Sequence, residues 1–156
     1  MRNQVEEVID GVIDIISFQL QMILKEEMPK ILASQVKRNS AASVKLTEYL
    51  SLLCQKLDKP LLLFIDEIDA LVGDSLVSVL RQLRSGYDLR PQAFPQSIIL
   101  CGVRDVRDYR IVLSNQDIVT GGSAFNIKAE SLRWGISPVK KFISFICSIG
   151  GYGPGI

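Results

Sequence analysis

The stretch LLLFIDEIDAL, residues 61–71, decides how the rest of the chain is read. Leu61 to Ile65 follow Pro60 and run straight into Asp66-Glu67, with Asp69 close behind. The run is too short and too apolar for a surface helix. It predicts a strand buried on both faces, as in a parallel sheet covered by helices. In open α/β sheets, ligands sit at the carboxyl ends of the strands. Asp66 and Glu67 stand at such an end.

Outward from that strand the pattern alternates. Residues 4–27 predict a helix, with Val5, Val8, Ile9, Val12, Ile13, Ile16, Leu20, Ile23 and Leu24 at helical spacing and Pro29 closing it. Glu6, Glu7 and Asp10 fall in its first turns, where the helix dipole favours acids. Residues 34–43 (SQVKRNSAAS) are polar without a period and predict a loop, with Lys37-Arg38 as a basic spot. A helix over 44–57 follows, with Ser43 as N-cap and Leu46, Tyr49, Leu50, Leu53, Cys54 and Leu57 as one stripe.

Beyond the acids, residues 75–84 predict a helix capped by Asp74 or Ser75, with Asp69 contributing. Leu76, Val79, Leu80 and Leu83 face inward, and Arg81 and Arg84 sit near its C-terminus. Residues 86–96 predict a loop and 97–101 (SIILC) a second buried strand. Arg104, Arg107 and Arg110 leave that strand at three-residue spacing. Phe125-Asn126-Ile127 follows a glycine turn and fits the approach to another strand. The order helix, helix, strand, helix, strand is an α/β alternation.

The whole chain sets bounds. Its 156 residues suffice for one domain with a core, and 47% hydrophobic content argues for folding. A net charge of +1 gives no general argument for nucleic acid, and the basic residues form no sequence-evident face. The sequence has no histidine, which excludes a Ser-His-Asp triad, a Cys-His pair and histidine-ligated zinc. Cys54, Cys101 and Cys147 are far apart, form no CxxC, and read as small buried hydrophobes in a reducing compartment. No run of about 18 uncharged apolar residues spans a membrane, and the N-terminus lacks a signal-peptide pattern. A cytoplasmic protein without membrane contact is the expectation.

An aspartate at a strand end can hold Mg²⁺, which bridges nucleotide phosphates, and a neighbouring glutamate can orient and polarise water. Four hydrophobic residues followed by Asp-Glu is the Walker B pattern. The competing reading is a pair of acids that cap the next helix. Arg104, nearest the second strand's end, has the chemistry to hold a phosphate oxygen. Its competing reading is a solvated turn with local Arg-Asp pairs. A metal-dependent nuclease or phosphatase using Asp66, Glu67 and Asp69, joined by Asp105 and Asp108, fits no recognisable spacing. Neither G-x-x-x-x-G-K-[ST] nor G-x-G-x-x-G occurs anywhere.

Residues 59–133, from KPLLLFIDEIDAL through GVRDVRDYRI to GGSAFNIKAESLR, closely resemble bacterial AAA-like ATP-binding proteins of the P-loop class, and residues 1–58 do so loosely. The resemblance implies a partial P-loop NTPase αβα sandwich with a mainly parallel sheet, and the cofactors ATP and Mg²⁺. It implies Asp66 as the metal ligand, Glu67 as the catalytic, water-positioning acid, and Arg104 and Asp105 as a sensor of the γ-phosphate.

Two departures shape the expectation. The Walker A strand and loop of that family would precede Met1, so residues 1–133 read as a partial ATPase domain without its phosphate cradle. ATP binding by this chain alone is then weak and hydrolysis weaker. An unknown protein partner or a missing N-terminal segment would complete the site. DNA contact is open but unsupported. The tail, 134–156, lacks the charged amphipathic continuation expected there. A one-base shift of the permitted codons allows such a continuation, so the tail reads as a frameshift product, against a divergent C-terminus packing Phe142, Ile143, Phe145 and Ile146 on the core. The function expected is an ATPase fragment; the alternative is a non-catalytic remnant or protein-interaction module.

Overall fold

The structure is a computed structural model and describes residues 2–102, 110–112, 118–120 and 145–149. The chain builds a mixed α/β fold. Helices α1 (Arg2–Leu24), α2 (Met28–Asn39) and α3 (Lys45–Lys56) come first. Strand β1 (Leu61–Ile65), helix α4 (Gly73–Ser85) and strand β2 (Ser97–Leu100) follow, then β3 (Arg110–Val112), β4 (Ile118–Thr120) and β5 (Phe145–Ile149).

β1 is central in a three-stranded sheet of order β2-β1-β5. It runs parallel to β2, with Leu62 opposite Ser97 and Ile65 opposite Leu100. It runs antiparallel to β5, with Leu61 opposite Ile149 and Ile65 opposite Phe145. The expected parallel arrangement therefore holds for β1–β2, while the β5 side is antiparallel. β3 and β4 form a separate antiparallel pair.

Burial of the strands corrects the sequence reading. Leu61, Leu63 and Ile65 are fully buried, but Leu62 and Phe64 are half-buried, so β1 has one dry face and one partly covered face. β2 is more open, with Ser97 and Ile99 exposed and Ile98 and Leu100 half-buried. An apolar run tells that a segment avoids water, not which neighbours cover each face.

The core comes mostly from helices. Ile9, Val12, Ile13, Ile16 and Leu20 recur every three or four residues on α1 and are buried. They meet Leu46, Tyr49, Leu50 and Leu53 of α3 and Leu76, Val79, Leu80 and Leu83 of α4. Each such leucine or isoleucine contributes about 1.5–3 kcal/mol by leaving water. After α4, Phe94 is fully buried against Gly86, where even a Cβ would collide with its ring. Arg90 lies 3.5 Å over the Tyr87 ring and donates from Nε to the Tyr87 carbonyl.

Pro29 starts a helix rather than ending one. It occupies the first turn of α2, where its missing N–H is no loss and its fixed φ suits helical entry. The expected loop at 34–43 is mostly helix, because Leu32, Ala33 and Val36 supply a short inward stripe covered by α1. Lys37 is part of that helix and binds Asp14 of α1 at 2.7 Å. Neither Ser43 nor Asp74 nor Ser75 is an N-cap: Val44 and Val72 hold those positions without a side-chain capping bond. No acid lies in the first turn of α1, since the helix begins earlier than expected and carries Glu6 and Asp10 inward of its end. Among the described residues no helix is long and apolar enough to cross a membrane.

Candidate functional site

At the carboxyl end of β1 the backbone turns sharply. Glu67 has φ 50° and ψ 42°, in the left-handed region that disfavours side chains with a Cβ. Residues Ile68–Ala70 form a single 3₁₀ turn directly after it. The turn is tied down at three points. Asp66 Oδ1 accepts from the Glu67 N–H at 2.9 Å. The Glu67 carbonyl accepts from the Ala70 N–H at 2.8 Å, and the Cys101 carbonyl accepts from the Ile68 N–H at 2.9 Å. Cys101 in turn donates its own N–H to the Ile65 carbonyl at 2.8 Å, extending the parallel ladder to the last residue before the acids.

Asp66 and Glu67 are both half-buried. Among the described residues the Glu67 carboxylate has no hydrogen-bond or ion-pair partner, and the bond Asp66 makes through its side chain is the one at Oδ1. Cys101 is near enough to feel this charge. Burial pushes its thiol pKa up, and the Asp66 carboxylate pushes it further the same way. The thiol is thus the protonated, unreactive kind, and Cys101 is half-buried rather than buried as the sequence reading expected. Cys54 is buried, as its helix stripe requires.

Beside the acids lies a cleft of about 180 Å³ between α1 and the turn. Val8, Gly11, Val12 and Ile15 line it from α1, and Ile68 and Leu71 from the turn. Asp66 and Glu67 form its polar edge.

The donor set bears on the metal. Among the described residues no group of three or more histidine, cysteine or acidic side chains converges into a cage. One or two half-exposed carboxylates with vacant lone pairs fit Mg²⁺, which keeps several waters and takes the remaining ligands from phosphates. They fit a dedicated calcium or zinc site poorly. Asp69, in the 3₁₀ turn, is half-buried, and Val72 holds the N-cap position of α4.

The other site residues expected from sequence, Arg104 and Asp105, lie outside the described residues, as do Arg107 and Asp108. The structure therefore brings together Asp66 and Glu67 and adds Cys101 through its backbone. Sequence reasoning missed that last role; the only signal was the register of two apolar runs that end on Ile65 and Cys101.

No protein-family model matches the chain, and no curated protein or solved structure does either.

Proposed function

We propose that Asp66 and Glu67 are the metal- and water-handling pair of an ATP site of the P-loop, AAA-like class. The observation that supports this reading is Glu67 itself. A non-glycine residue is kept in a strained backbone conformation, at the carboxyl end of a parallel strand, with its carboxylate unengaged among the described residues. Backbone strain of this kind, costing about 1–3 kcal/mol, persists where surrounding structure enforces it, and clusters at functional sites. Asp66 Oδ2 and water would hold Mg²⁺, which supplies charge neutralisation on the phosphates when bound. Glu67 orients a water and accepts its proton.

Residues 1–156 carry no phosphate-loop signature, so in this reading the backbone cradle for the phosphates comes from polypeptide beyond them, a preceding segment or a partner. The chain alone then binds Mg·ATP weakly. The test is NMR titration of the chain with ATP and Mg²⁺, using Mn²⁺ as a relaxation probe. Signals of residues 65–69 and 101 broaden with Mn²⁺ and ATP at about millimolar concentration. Asp66→Ala removes the response, and Glu67→Gln keeps it. No response at that concentration, or the same response in Asp66→Ala, overturns the proposal.

A second reading, a protein-interaction module without catalysis, is favoured by one observation: large apolar side chains, Phe18 and Met22, stand exposed on α1.

A further inference from the structure

The cleft beside the acids has a chemistry of its own. Its walls are apolar, from Val8, Gly11, Val12 and Ile15 on α1 to Ile68 and Leu71 on the turn. The backbone donors of the turn are used within the chain. The Glu67 N–H donates to Asp66 Oδ1, the Ile68 N–H to the Cys101 carbonyl, the Ala70 N–H to the Glu67 carbonyl and the Leu71 N–H to the Ile68 carbonyl. The polar capacity left at the edge is acceptor oxygen, on the carboxylates of Asp66 and Glu67. Neither carboxylate forms an ion pair among the described residues.

Gly11 shapes the opposite wall. Glycine inside a helix is disfavoured because its backbone loses the most freedom on folding. No neighbour requires it here, since a Cβ at Gly11 would meet no atom beyond its own helical turn within 4 Å. Its effect is to keep the α1 wall open. The resulting cleft holds about 180 Å³. An apolar cavity of about 150 Å³ is enough for one benzene ring.

These features select one ligand class. Apolar walls give nothing to a bare metal ion or a polyol, and two carboxylates repel an anion. A neutral hydrocarbon uses the walls and leaves the acids idle. We propose that the cleft binds a small ammonium ligand carrying one apolar group, about the size of a single ring. The ring lies between Gly11 of α1 and Leu71 of the turn. The ammonium donates to Asp66 and Glu67 at the edge, a charge-assisted contact that needs acceptors alone. This site goes beyond the nucleotide reading and does not rest on it. The two share a pair of acids, so the ammonium is an alternative to Mg²⁺ at Asp66.

The test is methyl NMR of the full chain, without Mg²⁺ or nucleotide, titrated with benzylammonium to about 10 mM. Saturable shifts are expected at the methyls of Val8, Val12, Ile15, Ile68 and Leu71, with Kd of about 0.1–1 mM for a ligand of this size. Benzyl alcohol, alike in shape without the charge, binds at least about fivefold more weakly. Methylammonium, with the charge and no ring, leaves these methyls unshifted. Gly11→Leu fills the cleft and raises the benzylammonium Kd at least about tenfold, although it improves helix propensity. Asp66→Asn with Glu67→Gln lowers benzylammonium to the level of benzyl alcohol. The asparagine keeps an oxygen for the Glu67 N–H, and unchanged circular dichroism confirms that both variants fold. No saturable shift at about 10 mM, or shifts confined to other methyls, overturns the proposal. So does equal binding of benzyl alcohol or methylammonium, or indifference to Gly11→Leu. Failure here leaves the Mg·ATP response standing, and failure there leaves this site standing, because neither ligand is present in the other titration.

Discussion

Two polar regions of this molecule obey opposite rules. In the helical layer, Lys45 and Gln82 are each 2% exposed, and every bond they can use is made. Lys45 Nζ donates to Glu6 at 2.7 Å and to Asp10 at 3.1 Å. The Leu46 N–H donates to Gln82 Oε1 at 2.8 Å, and Gln82 Nε2 donates to the Ala42 carbonyl at 3.0 Å and to Ser78 Oγ at 3.2 Å. The start of α3 is thereby fastened to α4 and α1, and Gln82 takes over the role of the absent N-cap. At the end of β1, by contrast, strain is retained and the Glu67 carboxylate is without a partner among the described residues. Lys45 and Gln82 are buried and bonded across three helices, whereas Asp66 and Glu67 are half-buried at a strand end.

Gln82→Leu tests the first rule most severely. It leaves the Leu46 N–H and the Ala42 carbonyl without partners, and should lower unfolding free energy by about 2–4 kcal/mol in urea titration. A loss below about 0.5 kcal/mol, the scale of an ordinary surface change, would mean that the network is incidental.

Next is the ion cluster. Neutralising both acids, Glu6→Gln with Asp10→Asn, strands a buried ammonium and should cost about 2 kcal/mol. The loss is moderated because Glu6 is 43% exposed. Lys45→Met removes the charge that needs partners and should cost less. The order of the two, read from denaturation midpoints, is the diagnostic. Burial alone disfavours the Lys45 charge, but Glu6 and Asp10 outweigh it and raise its pKa above the usual 10.5. The folded state thus holds this proton more tightly than the unfolded chain. The stabilisation is fully present below pH 10.5 and is lost as pH rises through the raised pKa. Lys45→Met should lack that alkaline component.

Glu67→Gly sharpens the contrast at the strand end. Glycine accepts φ 50° without penalty, so stability should rise by about 0.5–1 kcal/mol. A fall in stability would show that its side chain serves the fold after all.

The smallest effect concerns Cys101. Burial first, and Asp66 second, raise its pKa. Asp66→Asn removes the second cause and should speed alkylation of Cys101 at pH 8 by about two- to fivefold, resolved by peptide mass spectrometry. An unchanged rate would place the Asp66 charge away from the thiol.

The legible parts of the fold were those with strong local signals. The run 61–65, bounded by Pro60 and Asp66, gave its strand limits to the residue, and the stripes of α3 and α4 gave those helices within two residues. α2 was hidden because its buried face is Pro29, Leu32, Ala33 and Val36, too short a stripe to outweigh the polar residues around it. At the site, adjacency of Asp66 and Glu67 was legible because they are neighbours in sequence. The left-handed turn was not, because Glu67 has no residue-level preference for it and is held there by Cys101 and Asp66.

By itself, then, the sequence determined which segments avoid water, and that two carboxylates end the strand at Ile65. Local periodicity and chain breakers suffice for both, since each acts within a few residues. Tertiary structure alone decided that Lys45 is buried between Glu6 and Asp10, 39 and 35 residues away, and that Gln82 caps a helix 36 residues earlier in the chain. It also decided that β5 closes one side of β1 antiparallel and that Phe18 and Met22 of α1 stand exposed. Those outcomes depend on which surfaces meet, and no local pattern specifies a partner so distant along the chain.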